Sequence, residues 1–377
     1  WLKLFLSFRP PGAMLRHLRH ASSFSRSFSS LPLRRLGRTE LEVSAPGLGG
    51  VGLGAKEDGE LYGGISDDVA IEAVHRAVER GINFIDTSPL YLHSERRIGI
   101  ALSQMETAPR EKLVISTKVG DECPPYSDNG GHPAMSYDGV MHSVDHSLKL
   151  LRSDRVDLLL LHDPTFDEMQ HEFLKPKKGG MDALRELQRQ GVVKHLGLGC
   201  LEHENHHLWL QQEDVGFILT VNDWNLLRRR AVGEDWGGSK LFQAAQAQDV
   251  GVINAGAFYM GLIAGLEPRE SFQMGFKKTL NQPKLVGLAQ EMYTWCKERG
   301  ISVRELALQF SVNHHPAVAT TVVGCRTAEE VDQLCDAMQV EIPEKIWDDF
   351  HSHFDARVKG LHTADHWFYN KQNSAIS

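Results

Sequence analysis

The stretch GINFIDTSPLYLHSERRIG, residues 81–99, starts at a glycine turn, runs as a short apolar strand and then breaks its own pattern. Ile82, Phe84 and Ile85 read as strand, and Asp86 ends it. Thr87, Ser88, Pro89 and Tyr91 form a polar loop, and SERRIGIALSQM (94–105) resumes a helical pattern with Ser94 as its N-cap. An apolar strand feeding a helix through a short loop is the building unit of a parallel sheet covered by helices.

The unit recurs along the chain. Strand candidates lie near 48–52 and at 82–86, 113–119, 156–163, 195–199, 217–222, 250–255 and 319–324. Amphipathic helical patterns separate them, from SDDVAIEAVHRAVERG (66–81), acidic at its start and glycine at its end, to TAEEVDQLCDAM (327–338). Eight such units in about 300 residues predict a closed (β/α)8 TIM barrel. A doubly wound open sheet is the alternative, because a strand count does not prove closure. LPLRRLGRTELEVSAP (31–46) adds an N-terminal β-hairpin. The insert at 120–136 and the tail RVKGLHTADHWFYNKQNSAIS (357–377) are read as loop-rich and aromatic enough to roof a pocket.

Composition narrows the class. The 377 residues carry a net charge of −8, with 41% hydrophobic and 24% charged residues. That is a globular balance, against a general nucleic-acid binder and without an apolar run near the roughly 18 residues of a membrane helix. Five scattered cysteines without a C-x-x-C pair predict reduced thiols in an intracellular compartment rather than disulfides. Nineteen histidines include no H-E-x-x-H, and no metal is expected. From Met14 to Arg38 there is no acidic residue, only arginine, histidine and serine with spaced Leu and Phe. That segment fits a mitochondrial transit peptide; a disordered basic tail is the alternative, leaving the protein cytoplasmic. Residues 1–13 precede the first methionine and are read as possible non-native sequence. Residues 1–30 are thus excluded from the fold, and 31–377 are expected to form one barrel domain.

GLGGVG (47–52) matches G-x-G-x-x-G, but a loop follows it where a dinucleotide cradle needs a helix. These glycines read as crowded barrel floor and first loop.

The polar residues that end consecutive strands carry the chemistry. Asp86, Lys118 and His162 close the second, third and fourth strands, and Tyr91 lies on the loop past the second. In a parallel barrel these ends share one face. Singly, Asp86 could cap a loop, Lys118 could pair with it, His162 could be a satisfied core histidine and Tyr91 could pack on the rim. Together they place charges that must be desolvated, which costs several kcal/mol unless paired. A tyrosine titrates near 10, and a neighbouring ammonium favours its phenolate. The set suits proton transfer at a carbonyl or hydroxyl coupled to hydride transfer.

FIDTSPLYLHSERRIGIAL, LVISTKVG, VDLLLLHDP and VVGCRTAEEV resemble the aldo-keto reductase superfamily, over about residues 31–350. The resemblance implies the (β/α)8 barrel, a nicotinamide cofactor without a Rossmann domain, and no metal. It makes Tyr91 the acid/base, tuned by Lys118 and Asp86, with His162 orienting substrate. GVGLGAKEDGELYGGISDDVAIEAVHRAVERGINFIDTSPLY and VINAGAFYMGLIAG are similar to the aldose 1-dehydrogenases, which oxidise the anomeric hydroxyl of a sugar such as L-galactose, L-fucose or D-arabinose. Cofactor positions carried over are Gly199, Cys200, Asn222, Phe258 (or Tyr259), Gly324, Cys325, Arg326 and Glu330. The family's Ser-Asn after the fifth strand is here Cys200-Leu201. Glu329 and Glu330, where NADP-specific members place arginine, favour NAD; Arg326 keeps NADP possible.

The readings are an NAD-linked aldose 1-dehydrogenase acting on a small-molecule sugar, an NADPH-linked aldehyde reductase including pyridoxal-like substrates, and a non-catalytic nucleotide-binding subunit. Specificity is expected from the 120–136 loop, Trp224, Trp236 and the tail around His366 and Trp367. Oligomeric state is open.

Overall fold

The computed structural model describes residues 31–56, 64–121, 128–212, 215–268 and 283–361. The transit-type segment 1–30, residues 122–127 of the 120–136 insert, Cys123 among them, and the tail from 362, with His366 and Trp367, lie outside the described residues.

β1 (Leu33–Arg35) and β2 (Glu42–Ser44) pair antiparallel as the expected hairpin. Eight parallel strands follow: β3 (Gly47–Gly49), β4 (Phe84–Asp86), β5 (Val114–Val119), β6 (Val156–His162), β7 (Val193–Cys200), β8 (Val215–Val221), β9 (Gly251–Ala255) and β10 (Val318–Gly324). They close in the order β10-β3-β4-β5-β6-β7-β8-β9, so the sheet is a barrel and the open-sheet alternative falls. The helices are α1 (Asp67–Glu79), α2 (Ser94–Gln104), α3 (Thr107–Glu111), α4 (Tyr137–Leu151), α5 (Gly180–Arg189), α6 (His203–Trp209), α7 (Leu241–Ala247), α8 (Pro283–Glu298), α9 (Val303–Asn313), α10 (Ala328–Ala337) and α11 (Glu344–Leu361).

Strand alternation sorts the side chains. Phe84, Val114, Leu158, Leu160, Phe217, Leu219, Ile253 and Val322 form an inner cluster, joined by Leu36 and Val43 of the hairpin. Their neighbours Ile85, Val119, Leu159, Leu161, Leu198 and Ile218 face outward into the larger cluster with the helices. Asp86, Lys118 and His162 are the last inward-facing residues of their strands, so they cap the inner column. The four described cysteines, Cys200, Cys296, Cys325 and Cys335, are buried and free.

Two helix expectations need correction. His93 occupies the N-cap of α2, and Ser94 is already helical and buried, its hydroxyl accepting from Thr87 Oγ1 at 2.8 Å. The tail read as loop from residue 357 begins inside α11, whose Trp347, Phe350, Phe354 and Val358 bury one face at helical spacing.

Candidate active site

β4, β5 and β6 are neighbours in the barrel, so Asp86, Lys118 and His162 meet at one sector of its C-terminal rim. The Lys118 ammonium, 1% exposed, donates to Asp86 Oδ2 at 2.7 Å and to the Thr87 carbonyl at 2.7 Å. Ser116, two residues earlier on the same face of β5, donates to Asp86 Oδ1 at 2.9 Å. The carboxylate is thus held from both oxygens, which is what a buried charge pair requires to persist.

Tyr91 is half-buried on the loop beyond β4. Its ring centroid lies 4.8 Å from Lys118 Nζ and 5.9 Å from the His162 ring, which meets it edge-on at 84°. The four residues singled out in the sequence therefore surround one point. An ammonium beside a phenol favours the phenolate, and a histidine edge supplies a second polar atom.

Sequence reasoning missed Asp121 and Ser88. The Asp121 carboxylate, buried two residues past β5, lies 2.9 Å from His162 Nδ1. The Ser88 hydroxyl donates to Asp121 Oδ2 at 3.0 Å. Burial alone would lower the His162 pKa; the charge and hydrogen bond of Asp121, with the charge of Asp163, outweigh it and hold the pKa above the ordinary value. Burial would raise the Asp121 carboxyl, but His162 and the Ser88 hydroxyl hold it low. An Asp directly after the KVG that ends β5 was the only signal available.

The residues expected to meet a cofactor lie on the other side of the ring, at and beyond the ends of β7, β8, β9 and β10. Asn222 follows β8 at φ 55°, 1% exposed, with both amide atoms lacking a hydrogen-bond partner among the described residues. A buried amide with neither end satisfied among the protein groups has capacity to hold a further polar group. Gly199 ends the inward column of β7, where an added Cβ would stand 3.2 Å from Leu160 Cδ2. Cys200 has the opposite parity. Its thiol is fully buried, 3.4 Å from the Glu202 carbonyl and 3.6 Å from His206 Nε2, so only its backbone is placed to meet a cofactor. Phe258 is half-buried against the helix-side core, and Tyr259 is buried, its phenol pushed up to about 12 by burial despite Arg228. Gly324 ends β10 and Cys325 is buried. Glu330 accepts from three donors of Arg326, Nη2 at 2.6 Å, the backbone N–H at 2.7 Å and Nε at 3.2 Å.

Trp224, expected to shape the substrate pocket, faces the helices instead. It stacks on Phe310 at 4.6 Å and meets Phe242 and His315 edge-on. Trp236 lies between the Arg229 guanidinium (4.8 Å) and the Lys359 ammonium (4.7 Å), which ties the loop after β8 to α11.

The model of the aldo/keto reductase family matches residues 47–355. The chain belongs to this family and is an oxidoreductase. It is 29% identical to a pyridoxal 4-dehydrogenase of Microbacterium luteolum, over 83% of this chain and 95% of the relative. It is 27% identical to a D-threo-aldose 1-dehydrogenase of a Pseudomonas species (82% and 95%) and 28% identical to an L-galactose dehydrogenase of Arabidopsis thaliana (81% and 87%). The holo form of an aldo-keto reductase from Bacillus halodurans matches with a TM-score of 0.65 at 24% identity, covering 90% of this chain and 99% of that one, a likeness of fold. The family bears out the resemblance read from the strand ends.

Proposed function

We propose that this member of the family is an NAD-linked dehydrogenase that oxidises the anomeric hydroxyl of an aldose to a lactone. The observation that carries the chemistry is the buried Lys118–Asp86 pair set against the Tyr91 ring. Two relatives named as aldose dehydrogenases support the sugar. Tyr91 takes the hydroxyl proton as phenolate, a form that the Lys118 ammonium favours and that Asp86 sustains by fixing the lysine. His162 holds the same substrate oxygen from the opposite side.

A nicotinamide cofactor fits the residues present. The unsatisfied Asn222 amide would hold one end, and the Arg326–Glu330 pair after β10 would meet the other. When bound, the cofactor accepts the hydride. Glu330 supports NAD because it already neutralises the guanidinium that would otherwise receive a 2′-phosphate.

The test is a panel of L-galactose, L-fucose, D-arabinose and pyridoxal against NAD and NADP. NADH formation from an aldose is expected, and Tyr91→Phe should abolish it. Consumption of NADPH with an aldehyde, and no NADH from any sugar, would replace the reading with a reductase. Pyridoxal belongs in the panel because of the Microbacterium luteolum relative.

A further inference from the structure

We propose that Asp121 is a positioning residue that commits the Nδ1 hydrogen of His162 to itself, so that His162 donates from Nε2 to a substrate oxygen only as the imidazolium ion. The inference deepens the oxidoreductase reading above and rests on it for the identity of that oxygen.

Two loops and a strand end converge on one carboxylate. Asp121 follows β5, His162 ends β6 and Ser88 lies on the loop after β4. His162 Nδ1 is 2.9 Å from the carboxylate, and Ser88 Oγ is 3.0 Å from its Oδ2 and 3.3 Å from Nδ1. An ionised carboxylate only accepts hydrogen bonds, so the hydrogen of this contact sits on Nδ1. A neutral imidazole carries a single N–H. With that hydrogen committed to Asp121, neutral His162 presents a bare lone pair at Nε2. A second proton is needed before Nε2 can donate.

The groups around the ring agree. Asp121 faces Nδ1, and Asp163 Oδ2 lies 3.9 Å from Nε2. The Lys118 ammonium opposes a charge on the ring, and Tyr91 meets it edge-on. Two carboxylates against one ammonium favour the imidazolium, in line with the raised pKa of His162. Its charge then matches the site's chemistry. A substrate hydroxyl that accepts from Nε2–H while donating to the Tyr91 phenolate is held at both ends, and the oxygen that gains charge as its proton leaves faces a cation. The orienting contact is therefore switched by pH, and Asp121 sets the point at which it switches.

The experiment is nitrogen-15 NMR of the imidazoles in the full chain, with His162→Gln to assign the resonance, followed by pH profiles of wild type and Asp121→Asn. His162 should titrate above an ordinary histidine, and its neutral form should carry hydrogen on Nδ1. In Asp121→Asn the midpoint should fall by about one pH unit or more. The alkaline limb of kcat/KM should move down with it, with KM raised above that limb. A neutral His162 protonated on Nε2 in the wild type overturns the proposal without any variant having to fold. So does a midpoint, or an alkaline limb, that Asp121→Asn leaves in place. The NMR readout needs no substrate, so a failure of aldose turnover and a failure of the Asp121 assignment are told apart.

Discussion

Gly54 lies against the backbone of Tyr91: a Cβ built on this glycine would stand 1.9 Å from the Tyr91 carbonyl oxygen. The two loops are further joined by the His93 N–H, which donates to the Gly54 carbonyl at 3.3 Å. Arg97, 2% exposed, gathers the same loop from α2 by donating to the carbonyls of Leu53 and Ala55 at 2.7 Å each. Gly50 makes a similar approach, its N–H donating to the Asp86 carbonyl at 2.7 Å. Gly54, two residues past the glycine run that imitates a dinucleotide cradle, is thus packed against the loop that carries the candidate acid/base.

Gly54→Ala should therefore act on activity more than on the fold. The alanine methyl must push the Tyr91 carbonyl away, and a displacement near 1 Å at a reacting group costs on the order of 100-fold in rate. Steady-state kcat should fall 10- to 100-fold while the circular dichroism stays that of a barrel. Gly287→Ala is the control, because its Cβ would enter open space on α8. Equal losses from both substitutions would remove the link between this loop and the site.

Lys118 and Asp86 are expected to separate stability from function. Lys118→Met leaves the Asp86 carboxylate buried without its ammonium, which typically costs about 3–5 kcal/mol. Removing both charges in Lys118→Met/Asp86→Leu should restore much of that loss, since no stranded charge remains. Activity should stay at least about 100-fold down in the single and the double variant, because the phenolate has lost its ammonium in each. Urea titration and steady-state kinetics on the same samples check both halves.

The Arg326–Glu330 pair predicts the direction of a cofactor switch. Glu330→Ala unties the guanidinium and removes the carboxylate that would repel a 2′-phosphate. A charge-assisted hydrogen bond contributes roughly 1.5–3 kcal/mol. The ratio of kcat/KM for NADP over NAD should then rise about 10-fold or more, most of it from a lower KM for NADP. An unchanged ratio would mean that the 2′ position lies elsewhere.

The barrel was legible because eight short apolar strands alternate with amphipathic helices along the chain. Asp86, Lys118 and His162 were legible as the polar residues at the ends of three consecutive apolar strands, which a parallel barrel brings to one rim. Asp121 and Ser88 were not legible, because their contacts with His162 cross 41 and 74 positions of chain between loops with no periodicity. Trp224 misled for a related reason: the left-handed Asn222, φ 55°, breaks the alternation past β8 and turns the indole toward the helices. Cys200 was not legible either, because only the register that pairs Gly199 with His162 across β6 and β7 gives Gly199 the inward parity and turns the thiol toward the helices. In α11 the apolar stripe of Trp347, Phe350, Phe354 and Val358 is interrupted by Asp348, Asp349, Asp355 and two histidines, which hid an 18-residue helix.

Glu95 gives a pH dependence with a definite sign. It lies in the first turn of α2, 1% exposed, and accepts from Thr117 Oγ1 at 2.6 Å, one residue before Lys118 on the outward face of β5. Burial raises its pKa from 4.5 to about 7, against the hydrogen bond from Thr117. A carboxyl whose folded pKa exceeds its unfolded value binds more protons in the native state. Its cost to stability is therefore absent below about pH 4.5, grows as pH rises between 4.5 and 7, and is complete above 7. Glu95→Gln keeps the shape and removes the charge. At pH 8 the variant should gain roughly 1–3 kcal/mol relative to its difference from wild type at pH 5, measured by urea unfolding at both values. A difference between variant and wild type that is the same at the two pH values would show that Glu95 ionises in the folded protein as it does in the unfolded chain.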